Sequence, residues 1–403
     1  MLPRRHHELP PTAGLPLHLA DLRPGAPTLA GDLATWLDTP PLQLTCSGTA
    51  ALMLALTTLR ERQPQRRRVV VPAFTCPLVA IAVRQAGLEL QLCDLRAGHH
   101  DLDPAALRVA CDERTLAIVP THLAGRVADV DAALAVAHKV GAYVIEDAAQ
   151  ALGARRAGGA SVGLAGDVGF FSLAAGKGLS IYEGGLLTAR DPVLHERLAD
   201  AAARVPRQSG WEWRRCFELF GYAALYRPWG LRLAYGDPLR RALRRGDAIA
   251  AVGDDFPPTI PLHRVGRWRQ AVGARALPRL PGFLAQLVAQ AQRYLPRLRR
   301  VPGVQVLDDP SRARGTWPFF LLLLPDRPRR DAALAQLWQS GFGVSRLFIH
   351  ALPDYPYLAG TVPAADVPHA RDFAARSLTI GNSPWLTDGD VETICRVLED
   401  VLR

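Results

Sequence analysis

The chain has 403 residues, 49% of them hydrophobic and 21% charged, with a formal net charge of +10. That length calls for more than one hydrophobic core, and that composition excludes a disordered or fibrous chain. Apart from short runs such as those at 65–71 and 239–247, the arginines are spread along the whole sequence without a nucleic-acid motif, so the positive balance predicts an anionic small ligand rather than a nucleic acid.

The start of the chain, "MLPRRHHELPPTAGLPLHLADL", has neither an apolar signal core nor a small-residue cleavage site. The longest apolar runs, such as "FFLLLLP" at 319–325, are strand-sized. A cytoplasmic protein without membrane contact is therefore expected. Six cysteines lie far apart with no C-x-x-C spacing, which predicts packed, reduced thiols and no metal centre. The pairs His6/His7 and His99/His100 each lack a third ligand nearby in sequence and read as solvated loops.

From about 45 to 190, short apolar runs alternate with helical periodicity. "RRVVVPAF", "LELQLCDL", "TLAIVPTHL" and "GAYVIEDAA" read as buried strands, and "SGTAALMLALTTLRER", "CPLVAIAVRQAG" and "VADVDAALAVAHKVG" as helices between them. Such alternation predicts an α/β fold whose mostly parallel sheet is covered on both faces, with ligands at the carboxyl ends of its strands. From 195 to 260 an irregular aromatic and basic helical pattern follows, broken at Pro228 and Gly230. It reads as a helical cover, packed on its own domain or across a dimer, with an amphipathic membrane element as the alternative. A helix over 282–298, strands at "VQVL" and "WPFFLLLLP", and helices at "RDAALAQLWQSGF" and "TDGDVETICRVLEDVL" then form a smaller α/β unit. The expected division is 1–260 for the large domain and 261–403 for the connecting helix and small domain.

Lysine occurs only at Lys139 and Lys177, so 46 of the 48 cationic residues are arginine. Arginine substitutes for lysine as a surface cation but cannot lose its proton near neutral pH and attack a carbonyl carbon. Lys177, between Gly176 and Gly178, is thus a candidate Schiff-base lysine, while Lys139 sits on the polar side of a helix. Around Lys177 stand the parts that a phosphate-bearing aldehyde cofactor needs. Ser47, Gly48 and Thr49 precede a helix, whose free N–H groups and dipole receive a dianion. "YVIEDAAQALG" ends a strand in Glu146, Asp147 and Gln150, and a carboxylate there would hold a pyridinium nitrogen protonated. Ser172 is a second phosphate candidate, and Phe74 or Cys76 a cover for one cofactor face. The stretch is not a Walker A loop, because Gly178 follows Lys177 where Ser or Thr belongs.

Taken together, "SGTAAL", "VPAFT", "HLAG…DVDAA", "IEDAAQALGA" and "GDVGFFSL…GKGL…EGG" resemble the DegT/DnrJ/EryC1/StrS family of pyridoxal phosphate-dependent aminotransferases. The resemblance implies fold type I, with a mostly parallel seven-stranded sheet, and a homodimer with active sites near the subunit interface. It implies an amino group taken from glutamate or glutamine and given to a keto group, with a nucleotide-linked keto-sugar expected. By matched motif it assigns Lys177 to the cofactor aldehyde and to proton shuttling, and Asp147 to the pyridine nitrogen. Gln150 falls to the ring oxygen side and Gly48, Thr49, Ser47 and Ser172 to the phosphate. His350, Arg264 and Tyr182 are the candidates for substrate contact, with a packed core histidine as the alternative for His350.

The chain also departs from that pattern. Cys76 stands where the family usually stacks an aromatic ring on the cofactor. Leu262 stands near Arg264 where an asparagine is expected, and Gly176 and Gly178 replace threonine and asparagine. Lysine at 177 argues against the dehydratases related to the family. A non-sugar carbonyl acceptor, or a cofactor-binding regulator without turnover, are the other functional readings.

Overall fold

The computed structural model describes residues 7–403; the start of the chain, including His6, lies outside the described residues. Seven strands form the first sheet: β1 (Gln43–Thr45), β2 (Arg68–Pro72), β3 (Glu89–Cys93), β4 (Thr115–Ile118), β5 (Tyr143–Asp147), β6 (Val168–Ser172) and β7 (Gly185–Ala189). Their spatial order is β1-β7-β6-β5-β4-β2-β3, and only β7 runs against its neighbours. The expected strands are all present, and the parallel block explains their composition. Helices on both faces leave no solvated side, so Val69, Val70 and Val71 of β2 and Leu116, Ala117 and Ile118 of β4 are all buried.

The helix Gly48–Arg62 is apolar nearly all round, with Ala50 through Leu56 buried, as befits an element enclosed rather than laid on a surface. Its partners include β6 and β7, which places its N-terminus at the carboxyl end of β6. A second, antiparallel sheet comprises β8 (Gln305–Val306), β9 (Phe319–Leu323), β10 (Val344–Ser345) and β11 (Ser377–Gly381), in the order β10-β11-β9-β8. The helix Leu280–Arg299 leads into it. β1, β6, β7, β10 and β11 were not predicted: β1 and β10 have three and two residues, β6 and β7 flank the glycine-rich stretch around Lys177, and β11 follows the helix Pro368–Arg376 without a breaker.

The segment after β7 is helical, as expected. Helix Ser209–Leu225 ends at Tyr226, Pro228 opens the next turn at its first position, and a π-turn covers Arg232–Gly236 before the helix Asp237–Arg244. Among the described residues no helix is long and apolar enough to cross a membrane. All six cysteines are free thiols, four of them buried.

The solvated reading of His99/His100 is corrected. His100 is buried, its ring stacked on His99 at 4.5 Å, and Asp101 is the third group, close enough for the three to offer ligand atoms within 4.8 Å of one another. Burial, then the fields of His99 and Arg126, push the His100 imidazolium well below its ordinary range. The neighbouring guanidinium charges oppose a bound cation for the same reason.

One buried acid ties the sheet to the loop leading into β6. Glu146 accepts from His122 Nε2 (2.9 Å) and from the amides of Gly163 (2.9 Å), Ala165 (2.6 Å) and Gly166 (2.7 Å). Because Ala128 N–H donates to His122 Nδ1 at 3.0 Å, the ring proton is on Nε2, facing the carboxylate. Burial pushes the Glu146 carboxyl up, but His122 and the amides outweigh it and hold it below the usual carboxylate range. Glu146→Ala strands these donors in the interior and is expected to cost about 3–5 kcal/mol. Urea denaturation measures this, and a loss under about 1 kcal/mol contradicts the bracing role.

Candidate active site

A cavity of about 500 Å³ opens at the carboxyl ends of β2, β4, β5 and β6. Its lining gathers Ser47, Gly48, Thr49, Cys76, Asp147, Gln150, Ser172 and Lys177, eight residues drawn from four separate stretches of chain. At one side, Ser47 caps the helix Gly48–Arg62 by accepting from Ala50 N at 3.0 Å. That spends one of the first-turn donors and leaves the amides of Gly48 and Thr49, with the positive end of the helix dipole, for an anion. A side chain at position 48 would bring its Cβ to 3.2 Å from Ser172 Cβ and 3.3 Å from Phe171 O. Glycine therefore keeps Ser172 and the helix start close enough to serve one ligand.

Lys177 lies in the turn between β6 and β7, with its N–H donating to Ala174 O at 3.1 Å. Gly176 has φ +76°, and a Cβ there would meet Thr12 at 2.9 Å. The loop is held from outside by residues far away in sequence: Thr12 Oγ1 donates to Gly176 O (3.2 Å) and Leu15 N to Gly178 O (3.0 Å). Burial pushes the Lys177 ammonium below its ordinary range, against the opposing field of Asp147. The shift favours the neutral amine, which is the form that attacks carbonyl carbon. Cys76 stays a thiol, since burial pushes it up to about 12.

Asp147 ends β5 buried in the cavity wall, where one carboxylate oxygen accepts from Ala149 N at 3.0 Å. Burial pushes its pKa up, against that bond and the fields of Lys177 and His122. Gln150 accepts from Ala124 N through Oε1 at 2.7 Å, which leaves its NH₂ as a donor. Two hydroxyls in the wall, Thr75 Oγ1 and Thr121 Oγ1, are buried without a hydrogen-bond partner. Orphaned polar atoms around a cavity that already has an anion cradle, an acid and an amine are what a polar, phosphate-bearing ligand would satisfy. The residues present fit pyridoxal phosphate.

Three expected residues do not line this cavity. Arg264 donates through Nε to Val205 O at 2.7 Å and also to Ala203 O, at the end of the helix Pro192–Arg204, beside other grooves. Tyr182, with φ 69°, sets its ring edge-on to Tyr222. His350 packs edge-on to Tyr355 at 5.2 Å. Phe74 does not cover a ligand face: it is buried against Phe348 and Phe373 at 5.4 and 5.0 Å, in the hydrophobic core that also holds Val69 and Val71 of β2.

Other residues reach the cavity unannounced by the sequence. Glu183 lines it and accepts from Arg215 Nε (2.6 Å) and Trp211 Nε1 (3.1 Å), with His263 Nε2 at 3.1 Å. Asp254 and Phe256 come from the irregular helical segment, and Arg346 and Phe348 from the small unit. The Asp254 carboxylate is buried and accepts from Tyr355 Oη (2.6 Å) and Ile349 N (2.9 Å). Burial pushes it up to about 6 despite those bonds. No periodicity marks it; only the acid pair in "GDDF" was available as a signal.

The sequence profile of the DegT/DnrJ/EryC1/StrS aminotransferase family matches residues 28–223 and 264–399. The chain is 28% identical over 347 residues to the erythromycin biosynthesis sensory transduction protein EryC1 of Saccharopolyspora erythraea, covering 85% of this chain and 80% of that one. It is 29% identical over 344 residues to the dTDP-3-amino-3,4,6-trideoxy-alpha-D-glucose transaminase of Streptomyces venezuelae, covering 84% and 77%. The fold matches that of the sugar aminotransferase CalS13 from Micromonospora echinospora, with a TM-score of 0.72 at 22% identity over 97% of this chain and 100% of that chain. With the profile covering both sheets and every element that brings Ser47, Asp147, Ser172 and Lys177 together, the chain belongs to the DegT/DnrJ/EryC1/StrS aminotransferase family.

Proposed function

We propose that this aminotransferase uses pyridoxal phosphate and moves an amino group from glutamate or glutamine to the keto group of a nucleotide-linked sugar. The observation that carries the reading is one cavity holding a desolvated lysine, a buried acid and a helix-start anion cradle. Pyridoxal phosphate supplies, when bound, an aldehyde carbon and an electron-withdrawing ring. Gly48 and Thr49 amides and the Ser47 and Ser172 hydroxyls would hold its phosphate. Asp147 would sit opposite the ring nitrogen, where a cation offsets the burial that raises its pKa. Gln150 would donate its NH₂ toward the ring oxygen. Lys177 Nζ, released to the free amine, would move a proton between the substrate carbon and the cofactor.

Curated relatives support the acceptor class. One is named a UDP-N-acetyl-3-dehydro-alpha-D-glucosamine 3-aminotransferase and another a GDP-perosamine synthase. A homodimer and a cytoplasmic setting belong to the same proposal, as does a division near residue 260 between a cofactor-binding unit and a small unit. Arg264 would then serve from the subunit edge rather than in its own cavity, and Tyr182 and His350 would act, if on substrate, only after a rearrangement. One observation favours a non-sugar carbonyl as the second reading. Residues 224–263 fall outside the family match, yet Tyr235, Val252, Asp254 and Phe256 from that stretch line the cavity. This wall belongs to the chain rather than to the family, and it leaves room for a different acceptor.

Borohydride treatment of the loaded enzyme, followed by peptide mass mapping, is expected to place the cofactor mass on Lys177. Lys177→Ala should lose both that adduct and the visible band of the bound cofactor; an adduct on another residue contradicts the assignment. Glutamate should bleach the same band in the wild type, and failure to do so favours a regulator over an enzyme. Asp254→Asn removes a wall acid that burial pushes up to about 6. Its acceptor kcat/KM is expected to fall about tenfold or more and to lose its inflection near pH 6, if the acceptor donates a hydrogen bond there. An unchanged pH profile removes Asp254 from acceptor recognition.

A further inference from the structure

The aromatic and basic segment after β7 packs only one of its sides. Leu219, Ala223, Leu231, Leu239 and Ala242 are buried against the rest of the chain. On the outer side, Trp213, Phe217 and Phe220 recur at helical spacing along Ser209–Leu225, and Trp229 and Leu233 one turn apart just beyond it. These five make up most of the eight large apolar side chains exposed among the described residues, and Phe217 is 78%, Trp229 61% and Leu233 62% exposed. Single exposed apolar residues are ordinary; a run of five within 21 positions is not.

The charge of the same segment is as uneven. Between 204 and 245 stand ten arginines against Glu212, Glu218 and Asp237, so this stretch carries +7 of the chain's +10. Its acids are already engaged: Glu212 with Arg269, Glu218 with Arg214 and Arg215, and Asp237 with Arg240. Arg207, Arg214, Arg232, Arg241, Arg244 and Arg245 are exposed. Part of the face, with Trp229, Leu233 and the arginines from 227 onward, falls in the stretch that the family profile does not match.

We propose that this face is a peripheral docking surface for an anionic lipid bilayer. Tryptophan, phenylalanine and leucine would enter the headgroup boundary while the arginines meet lipid phosphates. A second copy of the chain is the less suitable occupant, because a two-fold contact sets a surface against itself and would press these arginines on one another. Trp213 and Phe220 share the groove beside Arg264, whereas Phe217, Trp229 and Leu233 stand apart from it, so the docking face rests on those three. It does not depend on the identity of the acceptor.

Flotation of the purified full chain with vesicles tests it, using phosphatidylcholine alone and phosphatidylcholine with about one-third phosphatidylglycerol. Binding is expected only to the anionic vesicles and should weaken about tenfold or more between about 50 mM and 500 mM NaCl. The variant carrying Phe217→Glu, Trp229→Glu and Leu233→Glu should lose at least about tenfold in binding. It should keep the wild-type sedimentation coefficient and cofactor spectrum. A second variant, with Arg241, Arg244 and Arg245 each changed to Gln, should lose salt-sensitive binding without altering any apolar contact. Equal flotation with both lipids, no flotation, or wild-type flotation by the first variant overturns the proposal. So does a change of oligomeric state in that variant, which would make the face an interface between copies.

Discussion

The proposed chemistry of this site depends on taking one amine out of water. Lys177 is pressed into a cavity whose walls lower the affinity of its nitrogen for a proton, while Asp147 opposes that effect without reversing it. A solvated lysine would be an ammonium at neutral pH and would not attack a carbonyl. The rest of the site serves to keep this group where it is. Gly176 takes a left-handed conformation, the segment around Thr12 and Leu15 clamps the loop, and β6 and β7 anchor its two ends.

The scaffold turns short-range chemistry into a single site by topology. Parallel strands point their carboxyl ends the same way, so the loops after β2, β4, β5 and β6 gather at one mouth although they are scattered in sequence. Glu146 and Asp147 are adjacent in β5 and divide the labour by the strand's alternation. One is buried among amides and a histidine as a brace; the other faces the cavity as an acid. The same pair of residues therefore serves stability and chemistry on opposite faces of the sheet.

How much of this was legible depends on whether a signal was local. The strands β2 to β5 were, because burial on both faces writes them as unbroken apolar runs. So were Ser47, Gly48, Asp147 and Lys177, each marked by its own motif or by the scarcity of lysine. Phe74 was misread, because nothing local tells a ring facing a ligand from one packed on Phe348 and Phe373, more than 270 positions away. His100 was misread for a similar reason: its burial comes from tertiary neighbours, not from the polar loop around it. Asp254 could not be singled out at all, since its value lies in Tyr355 and Ile349 meeting it across the cavity. β10 and β11 were hidden by brevity and by a helix running directly into a strand.

The most direct test uses the fact that the chain holds just two lysines. With ¹⁵N-lysine labelling, the cofactor-free protein has two side-chain amine signals, and Lys139→Arg identifies the one from Lys177. A desolvated Lys177 predicts that this signal titrates below the ordinary lysine value of about 10.4, and lower still in Asp147→Asn, which removes an opposing negative field. A Lys177 amine titrating at or above that value, and indifferent to Asp147, would contradict the claim that the cavity prepares it for attack.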